Sequence, residues 1–328
     1  MLTLAGKRVM VTGGAGFIGS HLVDRVVADG PASVVVVDNL FLGKRSNLDA
    51  SREAFPDLHF HEQDASDYAV MRRILEDEPV DVVFEMAVVP LPTSLVEPRW
   101  TCDVNLSAAT AICELLREGL FETLVHFSSS EVYGSARTVP MDEEHPLDPC
   151  TPYAASKAGA DHIVSSYQKT FGLDVTTVRP FNGFGPRQNE TAYAGIIPLV
   201  IGRALAGEPV FIHGDGHQTR DFTYVGEIAE AAVRIYGEPS TRGRVVNVSS
   251  GRELSVNTLV AKLLEALEVD VPVFHDDPRP GDVRRHCGSP ELLEQLTGFR
   301  PGRTLDGALA ETVRWYRAAL AQGIAGAE

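Results

Sequence analysis

The stretch Thr12-Gly13-Gly14-Ala15-Gly16-Phe17-Ile18-Gly19 decides the fold of this 328-residue chain. It follows an apolar run that predicts a β-strand, and it opens a segment of helical periodicity. Gly13 allows a tight turn, Gly16 lets backbone N–H groups approach a pyrophosphate, and Gly19 lets the helix lie close to the strand. The positive end of that helix then faces the phosphates. The stretch therefore predicts a βα turn that binds a dinucleotide.

A carboxylate stands where the second predicted strand ends. Asp38 lies 19 residues after Gly19, a position from which a carboxylate can accept hydrogen bonds from both hydroxyls of a ribose. An acid at this point repels the additional phosphate of NADP, and no arginine follows immediately. The sequence therefore predicts NAD as the cofactor rather than NADP.

Apolar runs alternate with segments of helical periodicity over roughly the first 180 residues. The predicted strands are Arg8–Thr12, Ser33–Asp38, Leu58–Gln63, Asp81–Ala87, Thr123–Ser129 and Asp174–Arg179. The predicted helices between them include Phe17–Asp29, Asp67–Glu76, Trp100–Arg117 and Thr151–Phe171. Near-continuous apolar strands are typical of a parallel sheet that is buried on both faces. The alternation predicts an α/β fold, a Rossmann-type doubly wound parallel sheet.

The pattern changes from about Phe181, where glycine and proline become frequent and the elements become shorter. We predict an NAD-binding Rossmann domain over residues 1–180 and a smaller mixed α/β substrate-binding lobe over residues 181–328. Within the second part, Val245–Ser249 is predicted to return as a strand to the main sheet. The last predicted helix is Leu305–Leu320.

The composition excludes several classes of protein. Lys and Arg number 29 and Asp and Glu 45, so the formal net charge is −16, which disfavours nucleic acids and anionic membranes as partners. The chain has no apolar run of about 18 residues, and its apolar start is broken at Gly6-Lys7-Arg8, so we expect neither a membrane span nor a signal peptide. Cys102, Cys113, Cys150 and Cys287 have neither CxxC nor zinc-site spacing. We expect reduced, mostly buried thiols, no metal and a cytoplasmic location.

A second constellation combines Ser129, Tyr153 and Lys157. Ser129 ends the fifth predicted strand, whereas Tyr153 and Lys157 are four residues apart and so share one face of a helix. A free phenol has a pKa of roughly 10 and is a poor base at neutral pH, but a neighbouring ammonium and the positive nicotinamide ring of NAD⁺ lower that pKa. Tyr153 can then take a proton from a substrate hydroxyl while hydride leaves the same carbon, with Ser129 sharing the proton.

Seven motifs occur along the chain in an order that identifies a family. They are TGGAGFIGS (Thr12–Ser20), DNL (Asp38–Leu40), SSSEVYG (Ser128–Gly134), YAASK (Tyr153–Lys157), FNGFGPRQ (Phe181–Gln188), GDGHQTRDFTYV (Gly214–Val225) and RPGDVRR (Arg279–Arg285). Over nearly its whole length the chain resembles the extended short-chain dehydrogenase/reductases. Within that family it is most similar to the NAD-dependent nucleotide-sugar epimerases and dehydratases, especially the UDP-hexose and UDP-hexuronate 4-epimerases. The resemblance implies a UDP-sugar substrate held by the second lobe, and a homodimer formed through the helices Trp100–Arg117 and Thr151–Phe171.

The resemblance also implies roles for individual residues. The implied cofactor-binding residues are Gly13, Gly16, Phe17, Ile18, Gly19, Asp38, Asn39, Asp64, Ala65, Ala87, Val88, Asn105, Tyr153 and Lys157. The implied substrate-binding residues are Ser129, Ser130, Asn182, Arg187, Arg220, Arg279 and Asp282. The implied catalytic residues are Ser129, Tyr153 and Lys157, with Glu131 as a candidate. Arg284 is a fourth arginine that could offset the charge of a pyrophosphate.

Three features depart from the epimerase pattern. Glu85 stands at the end of the fourth strand, where the family usually has histidine, and an unusual loop, Pro90–Ser94, follows it. Glu131 is an acid of the kind found in 4,6-dehydratases and UDP-glucuronate decarboxylases; in a dehydratase it would remove the C5 proton after oxidation at C4. Dehydratases commonly place an aspartate just before that glutamate, where this chain has Ser130.

Three functions therefore stay open at this point. Asn189–Ile197 and the RPGDVRR segment resemble the epimerases, so a 4-epimerase is the expectation. A 4,6-dehydratase or a UDP-glucuronate decarboxylase that uses Glu131 is the alternative, because the Ser130-Glu131 pair resembles the decarboxylases and some atypical dehydratases. A non-catalytic NAD-sensing protein on the same fold is the most distant alternative.

Overall fold

The structure is a computed structural model that describes residues 2–190, 194–279 and 281–321. Its strands are β1 (Arg8–Thr12), β2 (Ser33–Val37), β3 (Leu58–His61), β4 (Val82–Glu85), β5 (Thr123–Phe127), β6 (Val175–Pro180), β7 (Asn182–Phe184), β8 (Val210–His213), β9 (Thr219–Tyr224), β10 (Val245–Val248), β11 (Glu253–Ser255) and β12 (Val273–Asp276). Its helices are α1 (Phe17–Ala28), α2 (Asp49–Ala54), α3 (Tyr68–Asp77), α4 (Leu91–Ser94), α5 (Pro98–Arg117), α6 (Pro152–Phe171), α7 (Ile196–Leu205), α8 (Val225–Gly237), α9 (Val256–Leu267), α10 (Glu291–Thr297) and α11 (Leu305–Ala321). The strands and helices predicted in the first 180 residues are all present, with ends within two residues of those predicted.

Seven parallel strands form the central sheet of the described chain, in the order β3-β2-β1-β4-β5-β6-β10. The strands are apolar on both faces, as in β2, where Val34–Val37 are all buried. Such strands are stable only with helices on both sides of the sheet. The order reverses direction between β1 and β4, which makes their carboxyl ends the switch point of a doubly wound fold. The predicted Rossmann-type fold is therefore confirmed.

Two apolar layers cover the sheet. Alternate residues of each strand pack on opposite sides; for example, Val9 and Val11 contact the layer that contains α1 and α8, and Met10 contacts the layer that contains α3, α5 and α6. This period of two follows from the geometry of a strand. In a doubly wound sheet of this kind, the loops at the carboxyl ends of the strands build the site.

The chain after Phe181 contributes to two parts of the molecule. A three-stranded sheet (β11-β9-β7) and a two-stranded sheet (β12-β8) surround a third apolar cluster with α7, α9 and α11. In contrast, β10 pairs in parallel with β6, and α8 and Leu293 of α10 pack into the core of the main sheet. The division of the chain at residue 180 stays a prediction.

The cysteines differ from their expected burial. All four are free, but only Cys113 and Cys287 are buried, while Cys102 is half-buried and Cys150 is exposed. The expectation of mostly buried thiols is therefore wrong for two of them, because Cys102 and Cys150 lie near the start of a surface helix and in a loop. In the described ranges no helix is sufficiently long and apolar to span a bilayer, and no group of three His, Cys, Asp or Glu residues could hold a metal ion.

Candidate active site

The glycine-rich turn lies at the switch point of the sheet. Thr12 ends β1, and its Oγ1 accepts hydrogen bonds from the backbone N–H groups of Met86 (3.0 Å) and Ala87 (3.2 Å), directly after β4. Gly13 has a φ of 66°, and a Cβ there would lie 3.0 Å from the backbone of Ala87. The two strand ends are thus held so close together that a side chain at position 13 would not fit.

The start of α1 is arranged to receive an anion. Its N-cap is Gly16, which offers no side-chain cap, and no acidic residue lies in the first turn. The first N–H groups of a helix lack partners within the helix and carry its positive end. The turn therefore leaves these donors to a ligand, and a pyrophosphate has the charge and the oxygen atoms to accept from them.

Gly19→Ala is expected to abolish NAD binding and to lower the free energy of unfolding by more than about 2 kcal/mol. A Cβ at this position would lie 2.2 Å from the carbonyl oxygen of Gly13, which is backbone and cannot move aside alone. Calorimetric titration with NAD and urea unfolding measure the two effects. Gly202→Ala in α7 is the matched control, since nothing lies within 4 Å of its Cβ, and it should be neutral or stabilising by up to about 1 kcal/mol. Normal NAD affinity in Gly19→Ala would contradict this account of the turn.

The carboxyl group of Asp38 is fixed beside the glycine-rich turn by backbone hydrogen bonds. Its Oδ2 accepts from the backbone N–H of Ala15 (3.0 Å) and its Oδ1 from that of Leu40 (2.8 Å). Burial raises the pKa of this carboxyl, and the backbone N–H groups act in the opposite direction. The N–H groups that bind it are those of Leu40, Ala15 and Gly16, and a carboxylate can accept about four hydrogen bonds, so it can still accept one from a ribose hydroxyl.

A first cavity of about 380 Å³ extends from Asp38 to Tyr153. Every residue that the sequence assigns to the cofactor lines it, with the exception of Asn105. Asn105 lies behind the wall: its Oδ1 accepts from Val89 N (2.8 Å), and its Nδ2 donates to Val89 O (3.2 Å) and Ser156 Oγ (2.9 Å). Asn105 therefore fixes the loop after β4 to α6, and its direct contact with a cofactor stays a prediction.

Tyr153 and Lys157 line the far end of this cavity together with Ser129. Thr151 caps α6 by accepting from Ala154 N at 3.2 Å, which sets Tyr153 in the first turn and Lys157 in the second. Ser129 follows β5, whose carboxyl end lies beside that of β4. The three side chains that sequence reasoning combined are thus brought to one place by the end of β5 and by α6.

The pKa of Tyr153 differs from the expectation. Burial raises it to about 12, a side-chain hydrogen bond with Ser129 lowers it, and the negative charges of Glu131 and Asp161 raise it further. The ammonium of Lys157 is not among these causes, so the expected lowering by Lys157 is not produced by the protein groups. A phenolate at neutral pH therefore requires an additional positive charge, which the nicotinamide ring of NAD⁺ would supply.

A second cavity of about 500 Å³ adjoins the first. Its walls include Asn182, Arg220, Arg279 and Asp282, four of the residues assigned to the substrate. Arg220 is fixed in place: its Nη1 donates to the carbonyl oxygens of Thr219 and Val283, both at 2.8 Å, and its Nη2 pairs with Asp282. An arginine held in this way offers its remaining N–H groups to an anionic ligand.

Glu131 and Asn182 line both cavities, so the two join at these residues. Ser129 and Ser130 line the first cavity beside this junction. Glu131 follows the buried Ser130, whose carbonyl oxygen lies 3.0 Å from Nε2 of His286. Burial lowers the pKa of His286, so a neutral imidazole holds the loop that carries Glu131.

Two of the candidate arginines lie elsewhere. Arg187 lines the first cavity rather than the second, and its Nη1 is 2.7 Å from Asp24 of α1. Arg284 pairs with exposed Asp215 through two contacts of 2.7 and 3.0 Å and does not line the second cavity. Contact of Arg187 with the substrate stays a prediction. Of the segment 189–197, residues 191–193 lie outside the described residues.

Among the residues that sequence reasoning missed, three aromatic or imidazole side chains stand out. The rings of Phe41 and Trp100 form an edge-to-face pair at 5.0 Å on the wall of the first cavity, and His286 supports Ser130. Phe41 directly follows the DNL motif, and His286 directly follows RPGDVRR. Their places next to these motifs could have indicated that they belong to the site. Trp100 had no such signal, because its partner is distant in sequence.

The chain is similar to several known proteins. Residues 10–312 match the family described as GDP-mannose 4,6 dehydratase. The chain is 34% identical over 313 residues to the UDP-glucose 4-epimerase of Mycolicibacterium smegmatis, which covers 94% of this chain and 98% of that protein. The crystal structure of a UDP-glucose 4-epimerase from Thermotoga maritima with UDP-glucose has a TM-score of 0.89 and 31% identity, over 95% of this chain and 99% of that one.

A dehydratase is equally similar. The dTDP-glucose 4,6-dehydratase of Streptomyces venezuelae, crystallised with NAD bound, has a TM-score of 0.90 and 32% identity, over 96% of this chain and 98% of that one. These similarities extend over nearly the full length of each protein, so the chain after Phe181 is included as well as the glycine-rich turn. Together with the family match, they show that this chain belongs to the GDP-mannose 4,6-dehydratase-like family of extended short-chain dehydrogenase/reductases.

Proposed function

We propose that the protein is an NAD-dependent UDP-sugar 4-epimerase, an isomerase that inverts C4 of a UDP-hexose through a transient 4-keto sugar. The observation that carries the proposal is the meeting of Ser129, Tyr153 and Lys157 beside the junction of the two cavities. A substrate that crosses the junction would have its nucleotide in the second cavity and its sugar against Tyr153. The coarser class, an NAD-dependent sugar-nucleotide enzyme, is common to the epimerases and dehydratases that the chain resembles.

NAD is the cofactor that fits the first cavity. The uncapped start of α1 suits its pyrophosphate, and the buried Asp38 suits a ribose with both hydroxyls free. When bound, NAD⁺ supplies a hydride acceptor at its nicotinamide ring. We assign Lys157 to the nicotinamide ribose and to Tyr153, because it lines the cavity one helical turn after Tyr153.

Tyr153 carries the proton transfers in this mechanism. Its phenolate oxygen accepts the proton of the C4 hydroxyl as C4 is oxidised. The hydroxyl of Ser129 shares this proton through a hydrogen bond. The 4-keto sugar then rotates in the pocket, so that its other face is reduced. Tyr153 returns the proton to the new hydroxyl. The cofactor ends as it began, and no external reductant is consumed.

Arg220 and Arg279 would hold the pyrophosphate of the substrate. Both line the second cavity. Their positive charges attract an anion there, although the formal net charge of the whole chain is −16. We favour a neutral hexose such as glucose or N-acetylglucosamine over a hexuronate, since a carboxylate at C6 would share the junction with the negative charge of Glu131.

A 4,6-dehydratase is the second candidate, and Glu131 favours it. Removal of water across C5 and C6 needs a base for the C5 proton and an acid for the departing hydroxyl. Glu131 could provide one of these functions at the junction, but its neighbour is Ser130, which is a poor acid. The epimerase reaction needs neither group, so it accounts for the described residues with fewer requirements.

Glu131→Gln is expected to lower the rate of C4 inversion by less than about tenfold, since no step of the epimerase reaction breaks the C5–H bond. The amide keeps the shape of the side chain. The rate is measured by NMR with UDP-glucose and UDP-N-acetylglucosamine, and Ser130→Ala is the control for disturbance of the loop. The wild-type enzyme could instead make a 4-keto-6-deoxy sugar or release CO₂ from UDP-glucuronate. If Glu131→Gln then lacks that activity, the protein is a 4,6-dehydratase or a decarboxylase and not an epimerase.

We also propose a homodimer formed through α5 and α6, which pack on each other at the outside of the sheet. Analytical ultracentrifugation of the full chain checks it, and a monomer at micromolar concentration would contradict it. The cytoplasmic location stays a prediction from the cysteine pattern.

A further inference from the structure

Two large aromatic side chains meet at one end of the first cavity. Phe41 lies in the loop after β2 and Trp100 in the first turn of α5, and each residue is 38% exposed although both line the cavity. Their ring centroids are 5.0 Å apart, and the ring planes are inclined at 85°. This edge-to-face contact is a favoured arrangement of two aromatic rings. The pair therefore joins the loop after β2 to the start of α5 and still presents apolar surface to solvent.

The pair lies at the end of the cavity that contains Asp38. Phe41 follows Asp38 by three residues, and the loop between them is folded around the carboxylate. Oδ1 of Asp38 accepts from Leu40 N (2.8 Å), and a Cβ on Gly43 would lie 2.7 Å from the same oxygen atom. In the sheet, β2 and β3 lie on one side of β1, whereas β5, which leads to Ser129, lies on the other side. The order of the strands thus separates the aromatic pair from the end with Ser129.

One face of α5 continues the cavity wall from Trp100. Residues 100, 104 and 108 are spaced by four and so share a helix face, and Trp100, Val104 and Ala108 all line the cavity. Asp64 and Ala65, which follow β3, line it as well. Adenine has two apolar faces and an edge whose amino group donates hydrogen bonds. An apolar helix face, two aromatic rings and a carboxylate are the groups that such a base requires.

We propose that Phe41 and Trp100 are adenine-binding residues, which together hold the base of NAD at the Asp38 end of the first cavity. Because the two rings are perpendicular, they form a corner in which one ring offers its face and the other its edge to a flat base. The inference depends on NAD as the cofactor and not on the reaction. It therefore holds for an epimerase and for a dehydratase alike.

The exposure of the pair supports a role in binding. Apolar surface in water is unfavourable, and an exposed apolar patch beside a cavity is typical of a ligand site. The stacked rings of Tyr133 and Phe181, in contrast, are fully buried, as expected of aromatic residues that fill a core. A base that binds between Phe41 and Trp100 would cover ring surface that is otherwise in contact with water.

The first test observes Trp100 directly and needs no turnover. The chain has two tryptophans, and Trp315 packs against Tyr316 and the third apolar cluster, so Trp315→Phe leaves Trp100 as the only indole. In this full-length variant, saturating NAD or ADP is expected to lower the quenching of Trp100 fluorescence by acrylamide at least about twofold. UDP, and nicotinamide mononucleotide, which lacks adenine, should leave it unchanged. Quenching that NAD does not alter, or that UDP alters as much as ADP does, would overturn the inference.

The second test measures affinity by calorimetric titration. Phe41→Leu and Trp100→Leu each remove a ring and keep an apolar side chain, and each is expected to weaken the binding of NAD and of ADP about tenfold, as for the loss of base–aromatic stacking. UDP affinity should not change. Trp100→Phe keeps a ring and should bind ADP more tightly than Trp100→Leu. Phe171→Leu is the matched control, because Phe171 is exposed at the end of α6, contacts Tyr167 and lies off the first cavity.

An ADP affinity in either leucine variant that is indistinguishable from the wild type would overturn the inference, and so would an equal loss in Phe171→Leu. A change of oligomeric state in Trp100→Leu at unaltered ADP affinity would assign the pair to a contact between subunits instead. Tenfold weaker ADP binding in a protein that makes a 4-keto-6-deoxy sugar would support this inference and contradict only the proposed reaction.

Discussion

Tyr153→Phe is expected to lower the turnover of UDP-glucose by about 10²–10⁴-fold while NAD and UDP bind as they do to the wild-type protein. The substitution removes one oxygen atom and keeps the ring that lines the first cavity. That oxygen is the only group in the mechanism that both accepts and returns the C4 proton. Its loss therefore affects the barrier of the reaction and leaves the contacts of the ground state in place.

The measurement is the initial rate of C4 inversion, combined with calorimetric titrations of NAD and UDP. Tyr167→Phe is the control on the same helix, because its hydroxyl donates to Glu114 at 2.8 Å, far from the cavity, and it should keep near-wild-type turnover. Near-wild-type turnover in Tyr153→Phe would remove Tyr153 from the mechanism. Loss of NAD binding together with turnover would show a structural role instead.

Arg220→Met is expected to weaken UDP binding by about 10–100-fold, the loss that corresponds to about 1.5–3 kcal/mol for a hydrogen bond to a charged group. Two effects act in the same direction. The pyrophosphate loses a guanidinium that is already oriented by Thr219 and Val283, and Asp282 loses its counter-charge and so repels the ligand.

The double variant Arg220→Met, Asp282→Asn separates these effects, since it should recover the part of the affinity that is lost to repulsion. Arg284→Met is the matched control: its guanidinium pairs with Asp215 and lies off the cavity, so UDP affinity should change less than about twofold. NAD affinity should be unchanged in all three variants. Equal losses in Arg220→Met and Arg284→Met would indicate a general effect of surface charge and contradict the assignment of Arg220.

The sequence was sufficient for the features that depend on neighbouring residues. The turn could be predicted from Gly13, Gly16 and Gly19, because each stands where a side chain would not fit. The parallel strands could be predicted from the apolar runs, because burial on both faces excludes polar residues. Tyr153 and Lys157 could be combined because a spacing of four on a helix fixes their relative position. These predictions needed no knowledge of which distant segments pack against the turn, the strands or the helix.

Other features depend on contacts between distant segments and could not be foreseen. Glu85 was an unexplained departure until the register of β4 and β5 placed it opposite His126. Arg187 was assigned to the substrate through its motif; its pair with Asp24 of α1 and its place on the wall of the first cavity could not be predicted, because Asp24 is distant in sequence. The pKa of Tyr153 was expected to be lowered by Lys157, whereas burial, which no sequence pattern reports, raises it to about 12.

The central claim is that C4 alone is oxidised and then reduced within one active site. The most direct test is to incubate the enzyme with UDP-glucose in D₂O without added NADH and to analyse the sugar by NMR. The account predicts a C4-inverted product that carries hydrogen, and no solvent deuterium, at both C4 and C5. Deuterium at C5, or a 4-keto-6-deoxy product, would show that the C5–H bond is broken and would contradict the account.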